Sequence, residues 1–93
     1  MFVHSARFHL RLQCASLKGK RGIVKSILAR SRHQFNVSSA EVDHQDIHGS
    51  AVIGFAVVSQ NRSGGRLILV KLEEWLVNNH PDVLLEEAEI EER

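Results

Sequence analysis

Six consecutive residues in the first third of the chain have the chemistry of a phosphate-binding segment. Ser16-Leu17-Lys18-Gly19-Lys20-Arg21 stands directly before an apolar pattern of helical period, with Ser16 as the predicted N-cap. Free N–H groups and the positive end of the helix dipole at a helix start favour the binding of anions. At the start of this helix they converge with three cations, Lys18, Lys20 and Arg21. The spacing differs from a Walker motif, so the segment predicts phosphate binding without nucleotide hydrolysis.

The helix predicted after it, over Gly22–Phe35, carries cations beside its apolar stripe. Four basic side chains fall within about 60° of one another at about 100° per residue: Lys18, Arg21, Lys25 and Arg32. Lys20 projects toward the core side, so an irregular first turn is expected there. The predicted RNA-backbone contacts are Lys18, Lys20, Arg21, Lys25 and Arg32. An ordinary solvated basic surface is the alternative interpretation.

A second group of chemically capable residues surrounds the turn after the second strand. Asp43, His44 and Asp46 form a possible loop site, and His48 and His80 are expected nearby. These side chains include metal-ligand types. However, adjacent strand residues point to opposite faces, and no helix provides a pair of ligands four residues apart. We therefore predict no metal and no cofactor, and interpret Asp43–Asp46 as a turn closed by its own hydrogen bonds.

Nucleophilic catalysis is also disfavoured. Cys14 is expected at the same end of the domain as His44 and Asp46, which would supply a thiol, a base and an acid. No nucleophile motif surrounds Cys14, and six histidines make such a combination easy to find by chance. A buried, inert cysteine at a strand end is the favoured interpretation, and we predict that the chain is not an enzyme.

Six periodic segments position these residues. The predicted boundaries are a strand over Phe2–Gln13, a helix over Gly22–Phe35, strands over Asn36–His44 and Ala51–Ser59, a helix over Arg66–Asn79 and a strand over Val83–Glu92. The order βαββαβ is typical of the ferredoxin-like split sheet, an α+β fold. Right-handed crossovers then predict an antiparallel strand order of 4-1-3-2 with both helices on one face.

Charge is distributed unevenly along the chain. The first forty residues hold eight Lys and Arg and no acid, whereas Asp82–Arg93 holds six acids. The predicted topology places the first strand beside the last, so Arg7, His9 and Arg11 are expected to face the acidic row of Glu87, Glu89 and Glu91. The charge of the first strand is thereby neutralised, while that of the first helix is not.

The open face of the sheet is the other candidate surface. The third strand is apolar on both sides, and its larger residues are expected to face the helices. The smaller set would then face outward: Val52, Gly54, Ala56 and Val58. No aromatic residues remain there for stacking RNA bases. An outward apolar strip favours burial against a second copy of the chain.

Length and composition define the class of protein. Ninety-three residues predict a single domain over residues 1–93. One cysteine excludes an internal disulfide. No secretory signal peptide and no apolar run long enough for a membrane span are seen. These features predict a cytoplasmic protein without a membrane partner or small-molecule cofactor.

Several short runs match a known pattern: Met1-Phe2-Val3, Ser16-Leu17-Lys18, Lys20-Arg21, Val24-Lys25-Ser26, Phe35-Asn36-Val37-Ser38, Ala40-Glu41-Val42-Asp43-His44-Gln45-Asp46, Ala51-Val52 with Gly54, Val58-Ser59 and His80-Pro81. On these residues the chain resembles the YlxP-like family of small bacterial proteins of unknown function. The run from Ala40 to Asp46 is the most specific, and Gly19 and Gly22 depart from the pattern. The resemblance implies a ferredoxin-like fold and does not imply an enzymatic activity. Its members are often encoded beside translation and ribosome-maturation genes, which implies a role near the ribosome.

The sequence therefore predicts a non-enzymatic accessory protein that binds RNA or the ribosome through its first helix. The alternative is a homo-oligomeric interaction module, most simply a homodimer, that uses the open sheet face and has no nucleic-acid role.

Overall fold

The computed structural model describes residues 1–93 and contains the six elements in the predicted order. They are β1 (Phe2–Leu12), α1 (Leu17–Phe35), β2 (Ser38–Asp43), β3 (Ser50–Ser59), α2 (Arg62–Asn79) and β4 (Val83–Glu92). The strands form one antiparallel sheet in the order β2-β3-β1-β4, which is the predicted order read from the other edge. Both helices contribute to a single core on one sheet face. The ferredoxin-like prediction is confirmed.

Alternation along the two central strands decides which side chains enter that core. β1 buries every second residue, namely His4, Ala6, Phe8, Leu10 and Leu12. Its register pairs Phe8 with Ile53, so the inward rows of β1 and β3 coincide. Since β3 turns its larger residues toward the helices, Ala56 and Val58 remain exposed on the open face, as predicted.

Helix α1 begins at Leu17, five residues before the predicted start at Gly22. The Ser16 hydroxyl accepts a hydrogen bond from the N–H of Gly19 at 3.1 Å. This cap satisfies a first-turn donor that would otherwise be exposed. The helix is therefore regular through Lys20, and the expected irregular first turn does not occur.

Helix α2 likewise begins earlier than predicted, at Arg62 rather than Arg66. Asn61 caps it, and its Oδ1 accepts from the N–H of Gly64 at 2.6 Å. From the sequence, Gly64 and Gly65 predict a turn. The capping hydrogen bond stabilises the helix from Arg62 onward, so both glycines are helical. Neither helix combines the length and apolarity needed to cross a membrane.

Two residues with left-handed backbone conformation delimit β2. Asn36 has φ 51° and His44 has φ 61°, and they are the only non-glycine residues with positive φ. They stand at the two ends of the strand predicted over Asn36–His44. Because extended pairing cannot continue through such a conformation, the strand is confined to Ser38–Asp43.

His80 lies in the helix layer and is not part of the loop site. Its ring meets Trp75 edge-on with centroids 5.3 Å apart, and the guanidinium of Arg30 lies 5.3 Å from the same indole. Burial, followed by the charge of Arg30, lowers the pKa of His80, with Asp82 opposing the shift. His80 therefore functions as a packing residue between α1 and the end of α2.

Candidate functional site

The basic face of α1 consists of Lys18, Arg21, Lys25 and Arg32, all four of which are exposed to solvent. None of the ion pairs in the domain involves Lys18, Arg21 or Lys25. The helix holds no acid in its first turn. These three cations are therefore available to an external anion.

Arg32 differs from the other members of the basic face. Its Nη2 donates to the main-chain oxygen of Ser39 at 2.6 Å. Ser39 belongs to β2, an outer strand of the sheet, so the guanidinium covers a main-chain oxygen of an edge strand. The remaining N–H groups of Arg32 stay free, because a guanidinium carries five donors. Arg32 is thus a cation fixed at the boundary between helix and sheet.

Lys20, predicted among the nucleic-acid contacts, is instead buried at 1 % exposure. Its ammonium lies 3.0 Å from Oε2 of Glu41, a residue of β2. It also donates to the main-chain oxygens of His44 and Gln45. The prediction for Lys20 is corrected for this reason: its charge is used inside the domain, where it connects α1 to the β2–β3 turn.

A shallow groove of about 270 Å³ runs between α1 and the outer strand β2. Three cations line it, Arg21, Lys25 and Arg32, together with the apolar side chains of Val24 and Leu28 and with one acid, Glu41 of β2. Three of the four residues of the basic face therefore border one continuous depression.

The two arginines of β1 form ion pairs, but with none of the predicted partners. Arg7 stands opposite Glu89 in the register, yet its ion pair is with Asp43 at 3.9 Å. A register shift after His9 brings Arg11 to Glu86, with their charged atoms 3.0 Å apart. This β-bulge, which the periodicity of the sequence does not reveal, explains why Arg11 pairs with Glu86 instead of a residue of the predicted acidic row.

The Asp43–Asp46 turn closes on itself, as predicted. Oδ1 of Asp43 accepts from the N–H of His44 at 2.8 Å, and Nδ1 of His44 lies 2.8 Å from the hydroxyl of Ser50. Nε2 of His9 contacts the same hydroxyl at 2.9 Å. Asp46 is exposed and joins none of these contacts. The structure therefore gathers His9, Ser50 and His44, whereas the sequence predicted Asp43, His44 and Asp46.

His9 and Ser50 were missed because strand pairing alone brings them to His44. Their one sequence signal was the outward position of His9 on β1. The depression beside them holds about 300 Å³ and is lined by Arg7, His9, His44, Val52, Glu87 and Glu89. The two imidazoles border Val52, which explains why this residue of the open face is only 3 % exposed.

The arrangement of these side chains limits the chemistry that is possible at the end of the domain that holds the β2–β3 turn. No group of three His, Cys, Asp or Glu side chains is placed to hold a metal ion. The thiol of Cys14 donates to the main-chain oxygen of His48 at 2.7 Å. The hydroxyl of Ser50 is shared between two imidazoles, and no carboxylate is hydrogen-bonded to either ring. The cluster therefore lacks the oriented base of a catalytic triad.

The outward strip of the sheet is partly exposed. Val58 is 63 % and Val42 is 51 % accessible, with Ala56 also exposed beside them. The side chain of Val42 lies over Gly54, close enough that a Cβ atom added to this glycine would stand 3.1 Å from it. These residues make a small apolar surface across β2 and β3.

Comparison with known proteins identifies the chain's relatives. A family model described as "Protein of unknown function (DUF503)" matches residues 3–90. A stretch of 47 residues is 45 % identical to "Uncharacterized protein YlxP" of Bacillus subtilis (strain 168), covering 50 % of this chain and 51 % of that protein. The aligned part of the chain thus spans about half the length of this curated relative. The resemblance drawn from the sequence is confirmed.

Proposed function

The chain belongs to the family described as Protein of unknown function (DUF503), and because that description assigns no activity, we propose from its surface that it binds RNA through the basic face of α1. In this proposal it is a non-enzymatic accessory protein of the cytoplasm that binds the ribosome or other RNA. The observation that carries the proposal is the set of three exposed cations without ion-pair partners: Lys18, Arg21 and Lys25.

The contrast with the two arginines of β1 and with the buried Lys20 supports this function. Arg7, Arg11 and Lys20 each have an acidic partner within 4 Å. The basic face has none, so its field is directed at solvent. Phosphate contacts provide sequence-independent affinity for nucleic acids through counterion release. In the groove beside α1, RNA backbone would lie against Arg21, Lys25 and Arg32, while the one acid of the groove, Glu41, is paired with Lys20.

Charge reversal on the basic face tests the proposal. We expect the variant Lys18→Glu/Arg21→Glu/Lys25→Glu to lose binding to single-stranded RNA in a fluorescence anisotropy titration, and to leave the ribosome fraction on sedimentation. With three phosphate contacts, the wild-type slope of log K against log salt is expected to be about −2. The single variant Lys25→Glu should reduce that slope by about 0.7.

Lys71→Glu provides the matched control, because Lys71 is an exposed lysine on the other helix and the change in net charge is the same. The Lys71→Glu variant should bind RNA clearly more tightly than the Lys25→Glu variant. Equal losses in the two variants, or no RNA binding by the wild type at low salt, would contradict the proposal.

A second candidate function is self-association through the open sheet face, which is favoured by the exposed strip of Val42, Ala56 and Val58. Burial of the strip would remove apolar area from water, the main driving force of most protein association.

Light scattering over a range of protein concentrations distinguishes this candidate. We expect the mass to rise toward that of a dimer, and the substitution Val58→Lys to keep the chain monomeric. Val77→Lys is the control, since Val77 is similarly exposed but lies on α2. A wild-type mass that remains monomeric at the highest concentration would reject the candidate and leave the RNA proposal unaffected.

A further inference from the structure

The groove between α1 and β2 is bounded at its two ends by contacts between these elements. At one end, Nζ of Lys20 lies 3.0 Å from Oε2 of Glu41. At the other end, Nη2 of Arg32 donates to the main-chain oxygen of Ser39 at 2.6 Å, and the Ser39 hydroxyl donates to the main-chain oxygen of Leu28 at 3.5 Å. The residues that α1 contributes to the groove lie along the helix between these two contacts. The groove therefore has fixed walls and a limited length, which suits a single ligand group better than a continuous strand.

The floor and the rim of this groove differ in chemistry. Val24 is buried and Leu28 is half-buried, so the depth of the groove is apolar. Arg21, Lys25 and Arg32 are exposed, which places their charges at the rim. A phosphate gains nothing from an apolar floor, whereas pockets for organic ligands combine such a floor with a few polar side chains. The arrangement therefore favours a neutral group in the depth of the groove and an anion at its rim.

Glu41 supports this division of the groove. It is the one acid among the lining residues, and its charge is paired with Lys20. A phosphate placed deep in the groove would still be repelled by the nearby carboxylate. A neutral nucleobase would not be repelled, and its exocyclic amino or ring N–H groups are donors that a carboxylate oxygen accepts. The acid therefore disfavours a phosphate in the depth of the groove and tolerates a base.

Arg32 brings a planar group to the groove in a fixed orientation. Its acceptor, the main-chain oxygen of Ser39, belongs to a buried residue of β2. No aromatic ring lines the groove, but RNA bases also stack on the planes of arginine guanidinium groups. A plane that is held in advance loses less entropy when a base stacks on it. Lysine would carry the same charge without such a plane.

We propose that the groove holds one unpaired nucleotide of single-stranded RNA, with its base on the apolar floor against the guanidinium of Arg32 and its phosphate at Arg21 and Lys25. This inference rests on the RNA binding proposed above and adds a preference for single strands. In a duplex the bases are stacked and paired, so a base reaches the groove only if it is extruded at a cost. Phosphate contacts alone predict the reverse preference, because a duplex carries about twice the charge of one strand per unit length. A preference for the single strand therefore separates occupation of the groove from attraction to the backbone.

Fluorescence anisotropy with oligouridine, and with the duplex of the same oligouridine and oligoadenosine at equal salt, tests the groove. We expect the wild type to bind the single strand about fivefold more tightly than the duplex, which corresponds to the lower end of the stacking contribution of one base. In Ala29→Leu, a larger side chain at an exposed lining position fills part of the groove at unchanged charge, and the preference should disappear. Gln34→Leu, at an exposed position of α1 outside the groove, is the control and should retain the preference.

Arg32→Lys tests the stacking plane. The variant keeps the charge, so the slope of log K against log salt should be unchanged while the affinity for the single strand falls about fivefold. Arg66→Lys is the matched control, because Arg66 is an exposed arginine of α2 that forms no ion pair. It should bind both RNAs like the wild type.

The outcomes separate this inference from the proposal on which it rests. Wild-type protein that binds the duplex as tightly as the single strand, or more tightly, would overturn the assignment of the groove and leave RNA binding by the basic face intact. A preference for the single strand that persists in both Arg32→Lys and Ala29→Leu would overturn the assignment as well. Binding of neither RNA at low salt would reject both proposals.

Discussion

Replacement of Lys20 by Met is expected to lower the free energy of unfolding by about 3 kcal/mol. The substitution keeps the apolar stem of the side chain but removes an ammonium that is 1 % exposed. Glu41, whose side chain is 18 % exposed, would lose its counter-charge, and two main-chain oxygens would lose a donor. The loss of one partner from a buried pair is costly because the other charge remains poorly solvated. Urea denaturation measures the change.

The companion variants identify the cause. Lys20→Met/Glu41→Gln should be less destabilised than the sum of the two single variants, by about 1 kcal/mol or more, since residues in contact couple. Lys25→Met is the matched control: it changes an exposed lysine of the same helix and should alter stability by less than about 0.5 kcal/mol. Equal effects of Lys20→Met and Lys25→Met would show that the buried ion pair contributes nothing.

Replacement of Gly65 by Ala is expected to destabilise the domain by about 1–3 kcal/mol, the usual cost of overpacking. A methyl group there would lie 2.6 Å from Nδ1 of His4 and 2.6 Å from the hydroxyl of Ser59. His4 is a buried ring on β1 and has little room to move. The clash outweighs the gain of about 1 kcal/mol that alanine brings to a helix interior.

Gly22→Ala provides the opposite case in α1. Apart from its chain neighbours and the backbone of α1 itself, nothing lies within 4 Å of the added carbon, and the residue is exposed. We expect a gain in stability of up to about 1 kcal/mol from helix propensity alone. Thermal and urea unfolding of both variants measure the difference. A neutral or stabilising Gly65→Ala would show that β1 and α2 separate easily, contrary to the close approach in the structure.

Much of the fold could be predicted because its determinants are local. Alternation placed Phe8 and Leu10 on the inner face of β1, and a period near 3.6 placed Val24 and Ile27 on the inner face of α1. Both helices begin several residues earlier than predicted. Glycines near each start disfavour a helix, but the capping hydrogen bonds made by Ser16 and Asn61 outweigh that preference.

The candidate surface could be predicted only in part. Helical spacing correctly grouped Lys18, Arg21 and Lys25 on one exposed side. It also showed that Lys20 projects inward, but not that Glu41 lies beside it, since the pair joins residues from two elements. A polar cavity of about 530 Å³ beside Arg62 and Arg66 of α2 could not be predicted, because its other walls, at His4 and Glu92, belong to β1 and β4.

The sequence alone determined the element order, the inward rows of the sheet and the uneven distribution of charge, because each follows from residues that are neighbours along one strand or helix. The tertiary structure alone decided which cations are free. Arg7 and Lys20 meet acids on β2, whereas Lys18 and Lys25 meet none. The difference depends on strand register and on which helix face lies against which strand, and both are set by packing between residues distant in sequence. The segment Ser16–Arg21, with which the sequence first indicated phosphate chemistry, is therefore divided: Lys20 stabilises the domain, while Lys18 and Arg21 face outward.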